Sequence, residues 1–242
     1  MQKTTIFHKD AYKNCNTFYE MNEHEAPRSN KDFIIGKALG YELTEIATTY
    51  LRSFLDDFEK IDPEHRAKKV AVWDFETTAQ HNSFAVSLAI FIYNIETEEI
   101  EDTFYELINP LVTITPGAIK VHKITQEDIA DCPTFEHFLP TIEKMFDSVD
   151  FFVGQNLQFD LAVFERELER LSLPNNFTTK PVFDTMKAGK GIVECYDKNG
   201  KIKAPNLEEL CDHYGLEVEG EYHNAAVDVQ QTLEVFRNLL LE

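Results

Sequence analysis

Apolar residues recur at two different spacings along the chain, and the change of spacing divides it into two regions. Between residues 42 and 60 they repeat every three or four positions, which predicts an amphipathic helix. From Val70 onward, runs rich in β-branched and aromatic residues predict three strands, at Val70–Phe75, Phe84–Asn94 and Thr103–Asn109. The polar segment Glu96–Glu99 is expected to form the turn between the last two of these strands.

Helix and strand signals then alternate along the rest of the chain. A loop with Pro110 and Pro116 precedes a helix that opens at Thr134. Further helices are predicted at Gln158–Leu171, from Asp184, at Asn206–Tyr214 with Gly215 as its C-cap, and after Asn224. Short buried strands are predicted at Phe151–Val153 and Pro181–Phe183, and a hairpin turn at Asp197–Gly200.

This order of elements indicates an α/β fold. Three strands in a meander, followed by alternating helices and strands and a closing helix, are typical of a sheet with an antiparallel part. We therefore predict two regions: an N-terminal extension over residues 1–66, which carries the 42–60 helix, and an α/β domain over residues 67–242.

Composition constrains what the protein can bind. The chain has 242 residues, and its 19 phenylalanines predict a core rich in aromatic rings. The net charge of −20 argues against attraction of nucleic acid by the overall field, because phosphate binding depends on Lys and Arg. Carboxylates, however, collect divalent metals, and bound metals contribute much of the contact with phosphate. We therefore expect short contacts with the end of a substrate rather than a long basic groove.

Targeting and cysteine signals favour an ordinary cytoplasmic protein. We expect no membrane segment, because apolar runs are too short to span a bilayer and the first residues lack a secretory signal. The four cysteines contain no C-x-x-C pair, which argues against structural zinc and favours reduced, buried thiols.

Asp74 and Glu76 are the first candidates for chemistry, because they end the first predicted strand. Residues two apart on a strand point to the same face, so the two carboxylates are expected to emerge together. Adjacent carboxylates repel each other unless a cation lies between them. Oxygen ligands favour Mg²⁺ or Mn²⁺. The alternative is that both are ordinary loop acids.

Two further polar pairs follow later elements. Asn156 and Asp160 lie where a buried strand leads into a helix, although Asp160 could simply favour the helix N-terminus. His223 and Asp228 would point about 140° apart on one helix. If Asn224 is the N-cap, His223 precedes the helix and both side chains can face one point. An exposed loop histidine remains the alternative for His223.

In this order the motifs resemble the DEDDh exonuclease family, over roughly residues 68–240. The family's segments are D-x-E, N-x-x-x-D and H-x-A-x-x-D, and Val121–Thr125 is similar to its V-H-x-I-T segment. Ala79 and Lys123 stand where glycine is usual in the family. Asn224 occupies the position at which the sister DEDDy group has tyrosine, so the histidine branch fits better.

The resemblance implies a ribonuclease H-like fold, with a mixed five-stranded sheet flanked by helices, and two divalent ions, Mg²⁺ or Mn²⁺. It further implies that Asp74, Glu76, Asp160 and Asp228 hold the ions and that His223 is the general base. The product would be a nucleoside 5′-monophosphate released from a 3′ end. The residues expected to contact the terminal nucleotide are Phe75, Thr77, His122, Asn156 and Phe159.

Several alternatives stay open at this stage. The partner is expected to be a nucleic-acid 3′ end, in DNA or RNA, and the enzyme could act alone or with a polymerase. A non-catalytic nucleic-acid-binding or scaffold protein that retains the fold is the rival class. The 42–60 helix could pack on the catalytic domain, or it could form a homodimer or a contact with a protein partner.

Overall fold

One mixed sheet organises the part of the chain that the structure describes. The computed structural model describes residues 69–175, 180–190, 192–218, 220 and 222–239. The predicted extension at 1–66, with its 42–60 helix, lies outside these residues and stays a prediction. The strands are β1 (Lys69–Thr77), β2 (Ala85–Asn94), β3 (Glu99–Leu107), β4 (Phe151–Gly154) and β5 (Val182–Asp184). The helices are α1 (Pro116–His122), α2 (Phe135–Asp147), α3 (Gln158–Arg170), α4 (Thr185–Gly189), α5 (Leu207–Tyr214) and α6 (Ala225–Leu239).

The strand order within the described residues is β3-β2-β1-β4-β5. The first three strands pair antiparallel, whereas β4 runs parallel to both β1 and β5. This arrangement confirms the predicted mixed five-stranded sheet. Since β1, β4 and β5 run in the same direction, their carboxyl ends meet at one edge of the sheet.

Helices cover both faces of the sheet, and alternate residues of β1 contribute to two different cores. Ala71, Trp73 and Phe75 pack with α2 and α3, whereas Val70 and Val72 pack with α5 and α6. The first core is built around Trp73, whose ring centroid lies 5.2 Å from Phe146 and 5.8 Å from Phe152. Aromatic side chains thus dominate this core, as the composition predicted.

Most of the predicted helix boundaries are confirmed. Thr134 precedes α2, which buries Phe135, Phe138, Leu139, Ile142, Met145 and Phe146. Asn206 and Glu209 form a capping box at the start of α5, and Gly215 ends that helix with a φ of 65°. Within the described part of the chain, no helix combines the length and apolarity needed to cross a bilayer.

Two elements differ from the sequence-based predictions. Strand β3 begins at Glu99 rather than Thr103, because it is an edge strand whose acidic first half is exposed and therefore tolerated. Pro116 opens α1 rather than lying in a loop. Thr115 caps this helix by accepting a hydrogen bond from the backbone N–H of Ala118, and proline at the first helical position gives up no needed donor.

Candidate active site

The carboxyl end of β1 presents two acids on one face of the sheet. Asp74 and Glu76 share the face on which Val70 and Val72 enter the core beneath α6. Glu76 is only 8% exposed. On the neighbouring strand β2, their partners are Ala89 and Ser87, which are small. Neither partner has a bulky side chain.

Asp160 reaches the same edge from the other side of β1. It lies in the first turn of α3, after the short loop that leaves β4, and is 2% exposed. Its Oδ1 accepts a hydrogen bond from the backbone N–H of Phe75, at 3.0 Å. This bond joins the first turn of α3 to the residue between Asp74 and Glu76.

His223 and Asp228 arrive together at the start of α6. The Asn224 side chain accepts a hydrogen bond from the Ala226 N–H at 3.1 Å, which places His223 just before the helix. His223 has a φ of 67°, and its N–H donates to Asp228 Oδ2 at 3.1 Å. Potential ligand atoms of Glu76, His223 and Asp228 lie within 4.8 Å of one another. The backbone turn thus lets residues five apart face one point.

Burial raises the pKa of all four acids, and repulsion by the other carboxylates of the set adds to the shift for Asp74 and Glu76. The pKa of Asp74 rises well above its usual range through burial first, and then through the charges of Asp160, Glu76 and Asp228. Burial, with the charges of Asp228 and Asp160, raises the pKa of Glu76 to about 8. Burial raises the pKa of Asp160 to about 8 and that of Asp228 to about 6, although a backbone N–H opposes each shift.

The donor set at this edge fits divalent cations. Among the described residues, no lysine or arginine forms an ion pair with any of the four carboxylates. Asp228 Oδ1 is buried and has no hydrogen-bond partner. Buried carboxylates without a positive partner are costly unless they are protonated or hold a metal. Hard oxygen ligands are those that Mg²⁺ and Mn²⁺ prefer.

Thr77 and His122 use their polar groups to hold the loop after β1. Thr77 Oγ1 donates to Ala79 O at 2.9 Å. His122 Nδ1 accepts from the Ile124 N–H at 3.1 Å, so Nε2, which lies 3.2 Å from Thr77 O, carries the proton. Burial lowers the pKa of His122 and keeps the ring neutral. Lys123 takes the left-handed φ of 64° for which glycine is better suited.

The other three residues expected to contact a nucleotide differ in how accessible their side chains are. The Phe75 ring lies in the core on the face opposite Asp74, 5.7 Å from Trp73 and 6.2 Å from Phe135. Only its backbone reaches the site. Asn156 is exposed with a φ of 58°, and Phe159 is half-buried in the first turn of α3. The side chains of Asn156 and Phe159 are therefore at least partly accessible to solvent beside the carboxylates.

Asp184 is a residue of this edge that sequence analysis missed as part of the site. It ends β5 and caps α4, where its Oδ1 accepts hydrogen bonds from the N–H groups of Asn156 (3.0 Å) and Met186 (3.1 Å). Its charge also contributes to the raised pKa of Asp160. The sequence does contain a signal for Asp184. This acid lies where a buried strand leads into a helix, as Asp160 does.

Tyr105 is a second residue on this face of the sheet that the sequence did not single out. It is opposite Ala89, which is itself opposite Asp74, so all three side chains lie in one row on the same face. Two strand spacings, roughly 10 Å, separate Tyr105 from Asp74. The side chain is 41% exposed. Alternation predicts a strand but not its register, and register alone reveals this position.

A known protein family and known relatives match most of the chain. Residues 71–236 match the family described as "Exonuclease", named for RNase T. The PolC-type DNA polymerase III of Staphylococcus haemolyticus is 26% identical over 179 residues, which is 74% of this chain and 12% of that protein. The Staphylococcus aureus protein is 27% identical over 165 residues, 68% of this chain and 11% of its own length. The chain thus spans a small part of these relatives.

Solved structures share the fold at lower sequence identity. Cell-death related nuclease 4 superimposes with a TM-score of 0.61 and 16% identity, over 72% of this chain and 64% of its own. The nuclease domain of 3′hExo, a DEDDh family member bound to rAMP, gives 0.60 and 16%, over 72% and 92%. E. coli exonuclease I with a dT13 oligonucleotide gives 0.61 and 18%, over 71% and 41%.

The sheet of this chain therefore has the fold of these solved nucleases, with the four acids clustered at one edge. Because the family match spans more than half of the sequence, the chain belongs to the exonuclease family.

Proposed function

We propose that this chain hydrolyses phosphodiester bonds at nucleic-acid 3′ ends and releases nucleoside 5′-monophosphates by a two-metal mechanism. One observation carries the proposal: four buried or half-buried carboxylates from β1, α3 and α6 meet at one edge without a basic partner among the described residues. In this proposal Asp74, Glu76 and Asp228 hold one Mg²⁺ or Mn²⁺, and Asp160 supports the second. When bound, such ions activate water and stabilise the attacking and leaving oxygens.

Asp74 has the central position in this proposal. Its carboxylate interacts with the charges of Asp160, Glu76 and Asp228 at once, which suits a ligand shared by two cations. Asp160 is held in place by the Phe75 N–H, and Asp228 by the His223 N–H. The backbone thereby fixes two carboxylates on either side of the shared one.

His223 is proposed as the general base. Its backbone N–H donates to Asp228, while its side chain is exposed and has one ring nitrogen within 4.8 Å of ligand atoms of Glu76 and Asp228. An exposed imidazole beside the carboxylates can accept the proton of the attacking water and pass it to solvent.

The 3′-terminal nucleotide is proposed to bind between α1 and the start of α3. Asn156 and Phe159 offer exposed or half-exposed side chains there. Thr77 and His122 form the wall, since their hydrogen bonds fix the loop that follows Glu76. Phe75 supports this wall from the core. The structures with rAMP and with dT13 support a substrate in either RNA or DNA.

A ladder assay tests the proposed activity directly. Single-stranded DNA, duplex DNA, RNA and dinucleotides, each labelled at the 5′ end, are incubated with Mg²⁺ or Mn²⁺. We expect stepwise shortening from the 3′ end, abolished by a chelator and restored by excess metal. Retention of substrate in a gel shift with no shortening would instead identify the non-catalytic binding protein.

Metal binding is expected to stabilise the fold more at pH 8 than at pH 5. In metal-free protein the folded state binds protons more tightly than the unfolded state, because the pKa values of Glu76 and Asp160 are raised to about 8. The free energy of unfolding therefore falls as the pH rises from about 4 to about 8. A divalent ion at about 100 times its Kd adds about 2.7 kcal/mol, or about 5–10 °C in Tm.

Thermal melts with and without Mn²⁺ measure this effect, and NaCl at equal ionic strength is the control. An increase in Tm of the same size at both pH values would contradict the assignment, since protonated carboxyls bind metal weakly.

A further inference from the structure

The region that follows β5 has a charge opposite to that of the rest of the protein. Residues 180–206 contain six lysines and three acidic residues, in a chain whose net charge is −20. Nothing in the proposed mechanism uses these lysines. A local positive region is nevertheless what a strongly acidic nuclease needs if it is to retain a polyanionic strand.

A hairpin at residues 195–203, here called the basic hairpin, displays part of this charge. Tyr196 and Ile202 form an antiparallel bridge, and Lys203 N–H donates to Cys195 O at 2.9 Å. The Asp197 side chain accepts hydrogen bonds from the backbone N–H groups of Asn199 (2.8 Å) and Lys201 (2.9 Å). The carboxylate of Asp197 therefore holds the turn in a fixed shape.

The outer surface of the basic hairpin combines cations with an aromatic ring. Lys198 and Lys201 are exposed, as is Lys190 just before the hairpin, and no acid of the described residues pairs with any of them. Tyr196 is 53% exposed. Cationic side chains beside an exposed ring are the combination by which proteins bind single strands, through phosphates and through base stacking.

Hydrogen bonds on both sides of the basic hairpin join it to the loop that leads into Asp160. Before it, Asp184 and Thr185 contact this loop: Thr185 Oγ1 donates to Gln155 Oε1 at 2.6 Å. After it, Pro205 O accepts from Gln155 Nε2 at 3.0 Å. The hairpin therefore projects from the same edge of the sheet as the four carboxylates.

We propose that the basic hairpin binds the single-stranded part of the substrate on the 5′ side of the scissile bond. Lys198 and Lys201 contact phosphates, and the Tyr196 ring stacks on a base. This inference rests on the proposed function, because it assigns the hairpin to the strand whose 3′ end lies at Asp74. It also explains how a protein with this net charge retains its substrate between successive cuts.

Steady-state kinetics on two substrates separate strand binding from chemistry. One substrate is a 5′-labelled 20-residue oligothymidylate, and the other is the 5′-p-nitrophenyl ester of thymidine monophosphate, which has no upstream strand. For Lys198→Gln/Lys201→Gln we expect a higher KM for the oligonucleotide and an unchanged rate on the ester. The log–log dependence of KM on salt should lose about 1.4 in slope, about 0.7 per lysine. Tyr196→Ala should raise KM about five-fold or more.

Lys144→Gln is the matched control. Lys144 is an exposed lysine of α2, which covers the other face of the sheet, so both KM and its salt slope should equal those of the wild type. An unchanged oligonucleotide KM and slope in the double variant would overturn the proposal, as would an equal loss on both substrates. Failure of the wild type to cleave either substrate would refute the proposed function itself.

Discussion

Replacement of Asp74 by asparagine is expected to slow 3′-end hydrolysis by on the order of 10³-fold or more, with the fold intact. Metal ions contribute several kcal/mol of transition-state stabilisation, and each 1.36 kcal/mol is tenfold in rate. Asp74 interacts with the other three acids, so its loss affects the position of both cations. Single-turnover rates at saturating Mg²⁺ or Mn²⁺ measure the effect.

For the same variant we expect no loss of stability, in contrast to the loss of activity. Asparagine resembles the protonated form that burial and neighbouring charges favour, so metal-free Asp74→Asn should melt at or above the wild-type temperature at pH 8. Its Tm should no longer rise with Mn²⁺. Asp147→Asn, at the exposed end of α2, is the control and should change neither rate nor metal response. A fully active Asp74→Asn enzyme would rule out the metal assignment.

Replacement of His223 by alanine is expected to lower kcat by about 10²–10⁴-fold, the usual range for a lost general base. Alanine keeps the backbone N–H that donates to Asp228, so the position of that carboxylate is preserved. The concentration of Mn²⁺ needed for half-maximal activity should therefore stay close to the wild-type value. His213→Ala removes an exposed histidine of α5 and should leave the rate unchanged.

The two readouts distinguish the possible roles of His223. One of its ring nitrogens lies close enough to Glu76 and Asp228 to act as a metal ligand instead of a base. A large rise in the Mn²⁺ requirement, with kcat recovered at saturating metal, would show that His223 binds the ion. An unchanged kcat and an unchanged metal requirement would mean that the residue has neither role.

Local periodicity was sufficient to predict the first half of the site. Alternation along β1 places Asp74 and Glu76 on one face, and the structure agrees because that strand pairs with β2 along its length and stays extended through both acids. The start of α6 was equally readable, since Asn224 is a strong N-cap and its position determines where His223 and Asp228 lie. Both predictions use only neighbouring residues.

The remainder depends on pairings that are distant in the sequence. Asp160 meets the Phe75 N–H only because β4 is parallel and adjacent to β1. The roles of His122 follow from two backbone contacts that no spacing encodes. Pro116 was assigned to a loop because its cap, Thr115, was not recognised. Likewise, a role for the lysine-rich segment 180–206 can be proposed only because the fold ties it to the edge that holds the acids.

Helix α6 completes both the interior and the reactive edge, with consequences for biosynthesis. Val229, Leu233 and Phe236 pack against Val70 and Val72, while the first turn of the same helix brings Asp228 to Glu76. A nascent chain on the ribosome therefore lacks both the core on this face of the sheet and one of the four acids until α6 has emerged from the exit tunnel. Any activity that requires Asp228 can therefore arise only after this helix has packed onto the sheet.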